Sequence, residues 1–140
     1  MEYTGACHCG AIGFAYLTEI RPDRWSVRGC QCTFCRAHDA MSTSDPNGEL
    51  AFTARSPECL QRYRFGLGTA DFLLCRHCGI YIGAAIESEN GCFGIINVRA
   101  LTAAPPGMAV AVPISYDSEN TEGRISRRGE RWTPVSQLPL

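Results

Sequence analysis

Three thiols fall within the run Cys30-Gln31-Cys32-Thr33-Phe34-Cys35, spaced C-x-C-x-x-C. A C-x-C pair, Cys7-His8-Cys9, precedes them, and a C-x-x-C pair, Cys75-Arg76-His77-Cys78, follows. Seven of the nine cysteines thus sit in three short groups. Core packing gives no reason for such grouping, whereas metal ligation does. A structural zinc closes with four Cys or His ligands; a catalytic zinc keeps three and leaves one position open. Seven thiols divide naturally into a closed set, Cys7, Cys9, Cys75 and Cys78, and an incomplete one, Cys30, Cys32 and Cys35. Spacing alone also allows the two C-x-C pairs to count to four. His38, three residues beyond Cys35, could close the incomplete set from the same helical turn. His8 and His77 lie between cysteines, and their side chains are expected to point away from a metal.

The two sets would do different work. Cys7 and Cys75 are far apart in the chain, so a shared metal would pin the N-terminal strand to the middle of the fold. Such a site can contribute on the order of 10 kcal/mol to folding, comparable with the whole net stability of a small domain. Three thiolates on zinc make a soft, anionic centre. It is a poorer activator of water than a zinc held by neutral imidazoles, and it is better suited to holding another thiol as thiolate. Thiol-substrate chemistry, not hydrolysis, is the reaction class implied. Arg28, Arg36 and Arg76 lie beside the clusters and would offset their charge. Thiolate ligation by itself suits iron as well as zinc.

These residues need a scaffold. With 140 residues, 45% of them apolar, 19% charged, and a net charge of −1, the chain reads as one ordinary globular domain over 1–140. No field of either sign recruits nucleic acid or an anionic membrane. All 13 basic residues are Arg, which excludes lysine Schiff-base chemistry. No secretory leader and no apolar run of membrane-spanning length is visible, so a cytoplasmic location is expected. In that compartment clustered thiols stay reduced.

Short strands dominate the pattern. Strands are expected over Ala11–Leu17, Trp25–Val27 and Asp71–Leu74, the last running straight into Cys75. Leu50–Thr53 and Leu60–Phe65 read as a strand pair, with Tyr63 and Phe65 on one face and Arg62 and Arg64 on the other. Ile80–Ile86 and Cys92–Val98 flank Glu89-Asn90-Gly91 as a hairpin. Val110–Tyr116 reads as an edge strand, because Pro113 cannot donate to a ladder. One helical turn is expected over Thr33–His38 and another near Asn120–Ser126. The fold class is mainly β.

The order Gly5-Ala6-Cys7-His8-Cys9-Gly10, then Cys30-Gln31-Cys32-Thr33-Phe34-Cys35-Arg36, then Cys75-Arg76-His77-Cys78-Gly79 resembles the glutathione-dependent formaldehyde-activating (GFA) family. That family shares its domain with centromere protein V. The resemblance spans about Tyr3 to Trp132. It implies a β-tent fold of short antiparallel strands and two zinc ions per chain. Cys7, Cys9, Cys75 and Cys78 match the structural motif, and Cys30, Cys32 and Cys35 the catalytic one. It also implies a carbon–sulfur lyase that joins glutathione, or a similar thiol, reversibly to formaldehyde or another aldehyde. Cys32, central in the triad, is the thiol expected to take part. Arg131-Trp132-Thr133 resembles the family's closing segment, but the preceding stretch lacks the His that many members carry there. No residue is singled out as binding the substrate.

Two other function classes use the same residues. One is a non-catalytic zinc-stabilised binding module, and the other is a thiol redox or metal sensor built on the triad. Cys59 and Cys92 fit no metal spacing and read as small buried hydrophobes. Arg124, Arg127, Arg128 and Arg131 have helical spacing and could receive substrate carboxylates, but a solvated face is the first reading. Trp25 and Trp132 read as core.

Overall fold

The computed structural model describes residues 1–140. In chain order its elements are β1 (Glu2–Ala6), β2 (Ile12–Leu17), β3 (Arg28–Cys30), α1 (Thr33–Ala37), β4 (Ser42–Thr43), β5 (Glu49–Ala54), β6 (Leu60–Tyr63), β7 (Asp71–Cys75), β8 (Tyr81–Ser88), β9 (Gly91–Asn97), β10 (Val112–Ile114), α2 (Thr121–Arg131) and β11 (Thr133–Gln137). The protein is mainly β, as expected.

Alternation in β2 puts Ile12, Phe14 and Tyr16 inside, facing Leu50 and Phe52 of β5, which are fully buried. β2 pairs with β1 on one edge and β5 on the other, both antiparallel. Burying side chains of this size contributes roughly 1.5–3 kcal/mol each. β8 is apolar from Tyr81 to Ile86 without alternation, and all six of those residues are buried. It sits between β7 and β9 in an antiparallel meander that begins at β6.

β9 is the branch point. Its full length pairs with β8, while its opposite edge is shared by β4 at Ile96–Asn97 and by β11 at Phe93–Gly94. β11 also runs parallel to β5 and so joins the β1-β2-β5 ladder to the rest. β4 leads to β3, and β3 to the edge strand β10, which lies parallel to it with Pro113 opposite Gly29.

Several expectations change. Leu50–Thr53 and Leu60–Phe65 are not partners: β5 is taken by β2, and β6 pairs with β7. The chain reverses at Ser56-Pro57, which starts a 3-10 turn that leads β6 toward β7. The strand expected at Trp25–Val27 lies at Arg28–Cys30, and Trp25 and Val27 are core residues instead. The edge strand is confined to Val112–Ile114. The single helical turn near Asn120–Ser126 is an eleven-residue helix, α2, and β1 and β11 are additional strands.

α2 has an Asn120 cap whose side chain accepts from the Gly123 N–H at 2.7 Å, which satisfies one of the unpaired donors of the first turn. Asn120→Ala is expected to cost about 1 kcal/mol, read as a lowered thermal unfolding midpoint.

Candidate functional site

The closed cysteine set is built by two reversing segments. Cys7 and Cys9 occupy the turn between β1 and β2; Cys75 ends β7 and Cys78 lies in the turn before β8. Each turn continues into a glycine with positive φ, Gly10 at 81° and Gly79 at 80°. Nothing lies within 4 Å of a side chain built at either position, so the left-handed backbone itself selects Gly. The turns aim N–H groups at sulfur: Ile12 donates to Cys7 Sγ at 3.4 Å, and His77 and Cys78 donate to Cys75 Sγ at 3.3 and 3.4 Å.

All four sulfurs lie within 4.8 Å of one another. Cys9 Sγ stands 3.7 Å from Cys7 Sγ and 3.6 Å from Cys75 Sγ. A tetrahedral zinc with Zn–S bonds of about 2.3 Å separates its sulfurs by roughly 3.8 Å. Thiols so close cannot all ionise alone, because like charges at one point oppose each other. Cys78 is lowered to about 6: burial opposes this but is outweighed by the Cys9 and Ile80 N–H groups and by the Cys75 and Cys7 thiols. Cys9 is raised to about 11: the Ala11 N–H favours its thiolate, but desolvation and the Cys75, Cys7 and Cys78 thiols prevail. A divalent cation would resolve this conflict, so the donor set fits zinc.

The second set comes from one short segment. Cys30 ends β3, Cys32 caps α1 and Cys35 lies within it. Their sulfurs also lie within 4.8 Å of one another. Cys32 Sγ accepts from the Cys35 N–H at 3.4 Å. Donation from the Cys30 and Cys35 thiols, with the Cys35 and Phe34 N–H groups, holds Cys32 far below the ordinary thiol range. Cys35 is pushed up in turn by the other two thiols. Within the triad, Cys32 therefore carries the negative charge first.

His38 does not join this set. No histidine or carboxylate atom lies with the three sulfurs. The His38 ring packs on Phe34 at 4.5 Å and near Tyr81 at 5.8 Å, and the residue is exposed. His8 and His77 are exposed too, as expected, although His77 Nε2 reaches Cys59 Sγ at 3.4 Å. Cys59 is buried; Cys92 is only half-buried, so the reading of it as a buried hydrophobe is corrected.

The triad lines a cleft. Phe65, Phe72, Ile95 and Trp132 give it apolar walls, and Arg28, Arg124, Arg127 and Arg128 give it positive charge. Its cavity volume is about 70 Å³; a water needs about 10–15 Å³ measured this way, so the cleft has room for a small reacting group beside the sulfurs.

The arginines are where the sequence reading fails. Arg128 is 6% exposed, and Arg124 and Arg127 are largely covered; of the helical series only Arg131 is solvated. The Arg127 guanidinium lies 3.6 Å over the Tyr116 ring, and that of Arg128 lies 4.8 Å over Trp132. The face of α2 turned to the protein is made of arginines over aromatic rings, not of an apolar stripe. The Arg124-x-x-x-Arg128 spacing ahead of Trp132 was the available signal. Trp132 is buried as expected, but it belongs to the cleft as well as to the core.

The family model of the glutathione-dependent formaldehyde-activating enzyme matches residues 2–110, a stretch that contains all seven clustered cysteines. The chain belongs to the GFA family. Its fold is also similar to that of a Rhodobacter sphaeroides protein of known crystal structure. That protein is 29% identical with a TM-score of 0.58, and the match covers 79% of this chain and 97% of the other. The GFA motifs and the two thiol clusters agree in fitting zinc. The segment beyond residue 110 adds β10 and β11 to the same sheet system and α2 to the cleft.

Protein purified with zinc is expected to carry about two ions per chain by elemental analysis. Because thiol ligands must be deprotonated, acidification below about 6, where the metal-free Cys78 thiolate begins to take a proton, should progressively weaken metal binding and lower the unfolding midpoint. Chelation should do the same at neutral pH. Cys75→Ser should reproduce the loss of stability, measured by thermal unfolding, more severely than Cys30→Ser.

Proposed function

We propose that this protein is a zinc-dependent carbon–sulfur lyase that adds a thiol reversibly to an aldehyde, with glutathione and formaldehyde the first pair to test. In this reading residues 1–140 act as one GFA-type domain. Cys7, Cys9, Cys75 and Cys78 hold a structural zinc, and Cys30, Cys32 and Cys35 hold the catalytic one. The observation that carries the reading is a set of three sulfurs, with no fourth protein ligand atom beside them, on the wall of a cleft.

When bound, the zinc would supply a soft Lewis-acidic point that favours the thiolate form of an incoming thiol. The chain supplies the rest. The thiol gives up its S–H proton to solvent, the thiolate sulfur donates its electron pair to the carbonyl carbon to form the C–S bond, and the C=O π pair moves to oxygen, which takes a proton back from solvent. In the reverse direction the hydroxyl loses that proton, the C=O bond re-forms and the C–S pair returns to sulfur. No oxidant or reductant is involved. Phe65, Phe72 and Trp132 give the cleft that holds the sulfurs apolar walls, a surrounding in which electrostatic forces act more strongly than in water. Cys32 is the triad thiol best placed to exchange with a substrate thiol. It sits at the α1 N-terminus with N–H donors of its own, and so remains stable as a thiolate.

Exchange between free formaldehyde and its glutathione adduct, followed by NMR magnetisation transfer, should be accelerated by the zinc-loaded protein. Cys32→Ala should lower that acceleration by about 100-fold or more while keeping the cooperative unfolding transition. In cobalt-substituted protein, glutathione should shift the visible absorption. If neither glutathione nor any smaller thiol changes either signal, the lyase reading fails.

A further inference from the structure

Addition of a thiolate to an aldehyde moves charge from sulfur to oxygen. The carbonyl oxygen becomes an alkoxide only as the C–S bond forms, so a donor aimed at it acts on the transition state far more than on the free reactants. Thiol sulfurs are weak donors, and thiolates are none. The triad therefore does nothing for that oxygen, and a donor has to come from another wall of the cleft.

The arginines of the cleft differ in what they have left to donate. Arg127 is already matched: it donates to both Glu119 oxygens, at 2.8 and 3.0 Å. Arg124 shares that carboxylate at 3.9 Å, and its Nη2 donates to the Tyr116 carbonyl at 3.1 Å. Arg28 donates through Nη2 to Ser44 Oγ at 2.8 Å. Arg128 is the one fully buried residue of the four, and it pairs with no carboxylate. Its Nη1 donates to Thr69 Oγ1 at 2.6 Å, its guanidinium lies over Trp132, and its buried Nε has no partner. Thr69 and Trp132 line the same cleft, so the guanidinium is held along its wall with N–H groups unused. Burial, helped by the Arg127 and Arg124 charges, lowers its pKa to about 10, and the Glu119 and Cys30 charges oppose this. Arg128 is thus still a cation at neutral pH, within electrostatic reach of the triad.

We propose that Arg128 is a catalytic residue of the thiol–aldehyde addition, its unused N–H groups bonding the carbonyl oxygen and stabilising the alkoxide that forms as sulfur attacks carbon. It keeps its own proton throughout; the alkoxide takes one from solvent, and in the reverse direction the hydroxyl returns it. The assignment rests on the lyase reading and divides the work within it: the triad serves the sulfur and α2 serves the oxygen. α2 lies beyond the residues that the GFA model matches, so the family match does not supply this role.

The test uses 2-mercaptoethanol and formaldehyde, neither of which carries an anionic group for an arginine to hold. Exchange is followed by NMR magnetisation transfer with the zinc-loaded protein, and thiol binding by the visible absorption of cobalt-substituted protein. Arg128→Gln should lower the rate constant at saturating reactants by about 100-fold while the midpoint of the thiol titration stays where it was. Arg128→Lys should recover part of the rate. Arg131→Gln, which removes a solvated charge from the same helix, should leave it intact. Thr69→Val keeps the guanidinium but frees it, and should lower the rate in the same direction; it carries the test if Arg128→Gln loses its cooperative unfolding. An unaltered rate in the folded variants overturns the assignment and leaves the lyase reading standing. So does a cobalt spectrum that changes before any thiol is added, since that marks a counter-charge to the triad. Glutathione is run alongside, and a loss seen with glutathione alone marks carboxylate pairing and also overturns the assignment. If the unmodified protein accelerates exchange of no thiol, the lyase reading and this assignment fall together.

Discussion

Mutual repulsion among clustered thiolates is the constraint on which this molecule turns. Four sulfurs from two reversing segments meet within 4.8 Å, and three more meet where β3 runs into α1. Neither group can be fully ionised without a cation; Cys7 and Cys75 anchor the two segments in the core, while Cys9 is exposed and Cys78 only partly covered. A metal converts that conflict into a cross-link between the β1–β2 hairpin and the β7–β8 turn. Tyr81, three residues past Cys78, is buried against Cys35 and Phe34. The first cluster therefore also fixes the floor on which the second stands.

Legibility followed the physics of each signal. The thiol groups, α1 and the β8–β9 hairpin could be read because each is specified locally, by ligand spacing, by a cap and by a turn. β6 could not be assigned its partner, since strand pairing is decided by distant competition; β2 presents Ile12, Phe14 and Tyr16 to β5, leaving β6 to β7. β11 escaped because a strand that begins with a buried Thr and a Pro, Thr133-Pro134, carries little apolar alternation. α2 was underestimated for a related reason. Its interior holds Gly123 and Gly129, and its buried face is cationic, so the usual apolar stripe is missing.

The aromatic residues tie these layers together. Phe34 of α1 stacks with Phe65 at 5.2 Å and meets Phe72 of β7 edge-on at 4.9 Å. Arg62 of β6 and Arg64 just beyond it both donate to Asp71, which fastens β6 against β7 beside that wall. The alternation seen in Tyr63, Phe65, Arg62 and Arg64 thus serves two purposes, an aromatic lining and an ionic fastening.

β10 carries a consequence of its own. It pairs with β3, the strand ending in Cys30, on the edge that β4 leaves open, and it does so in parallel at the free margin of the sheet. The chain then passes through Tyr116 into the arginine helix. A cleft floor drawn from the first two-thirds of the polypeptide is thus roofed by a later segment. Changing that roof can re-tune which molecules are admitted while the sulfur chemistry beneath stays as it was, a modularity by which one reaction can be offered to many reactants.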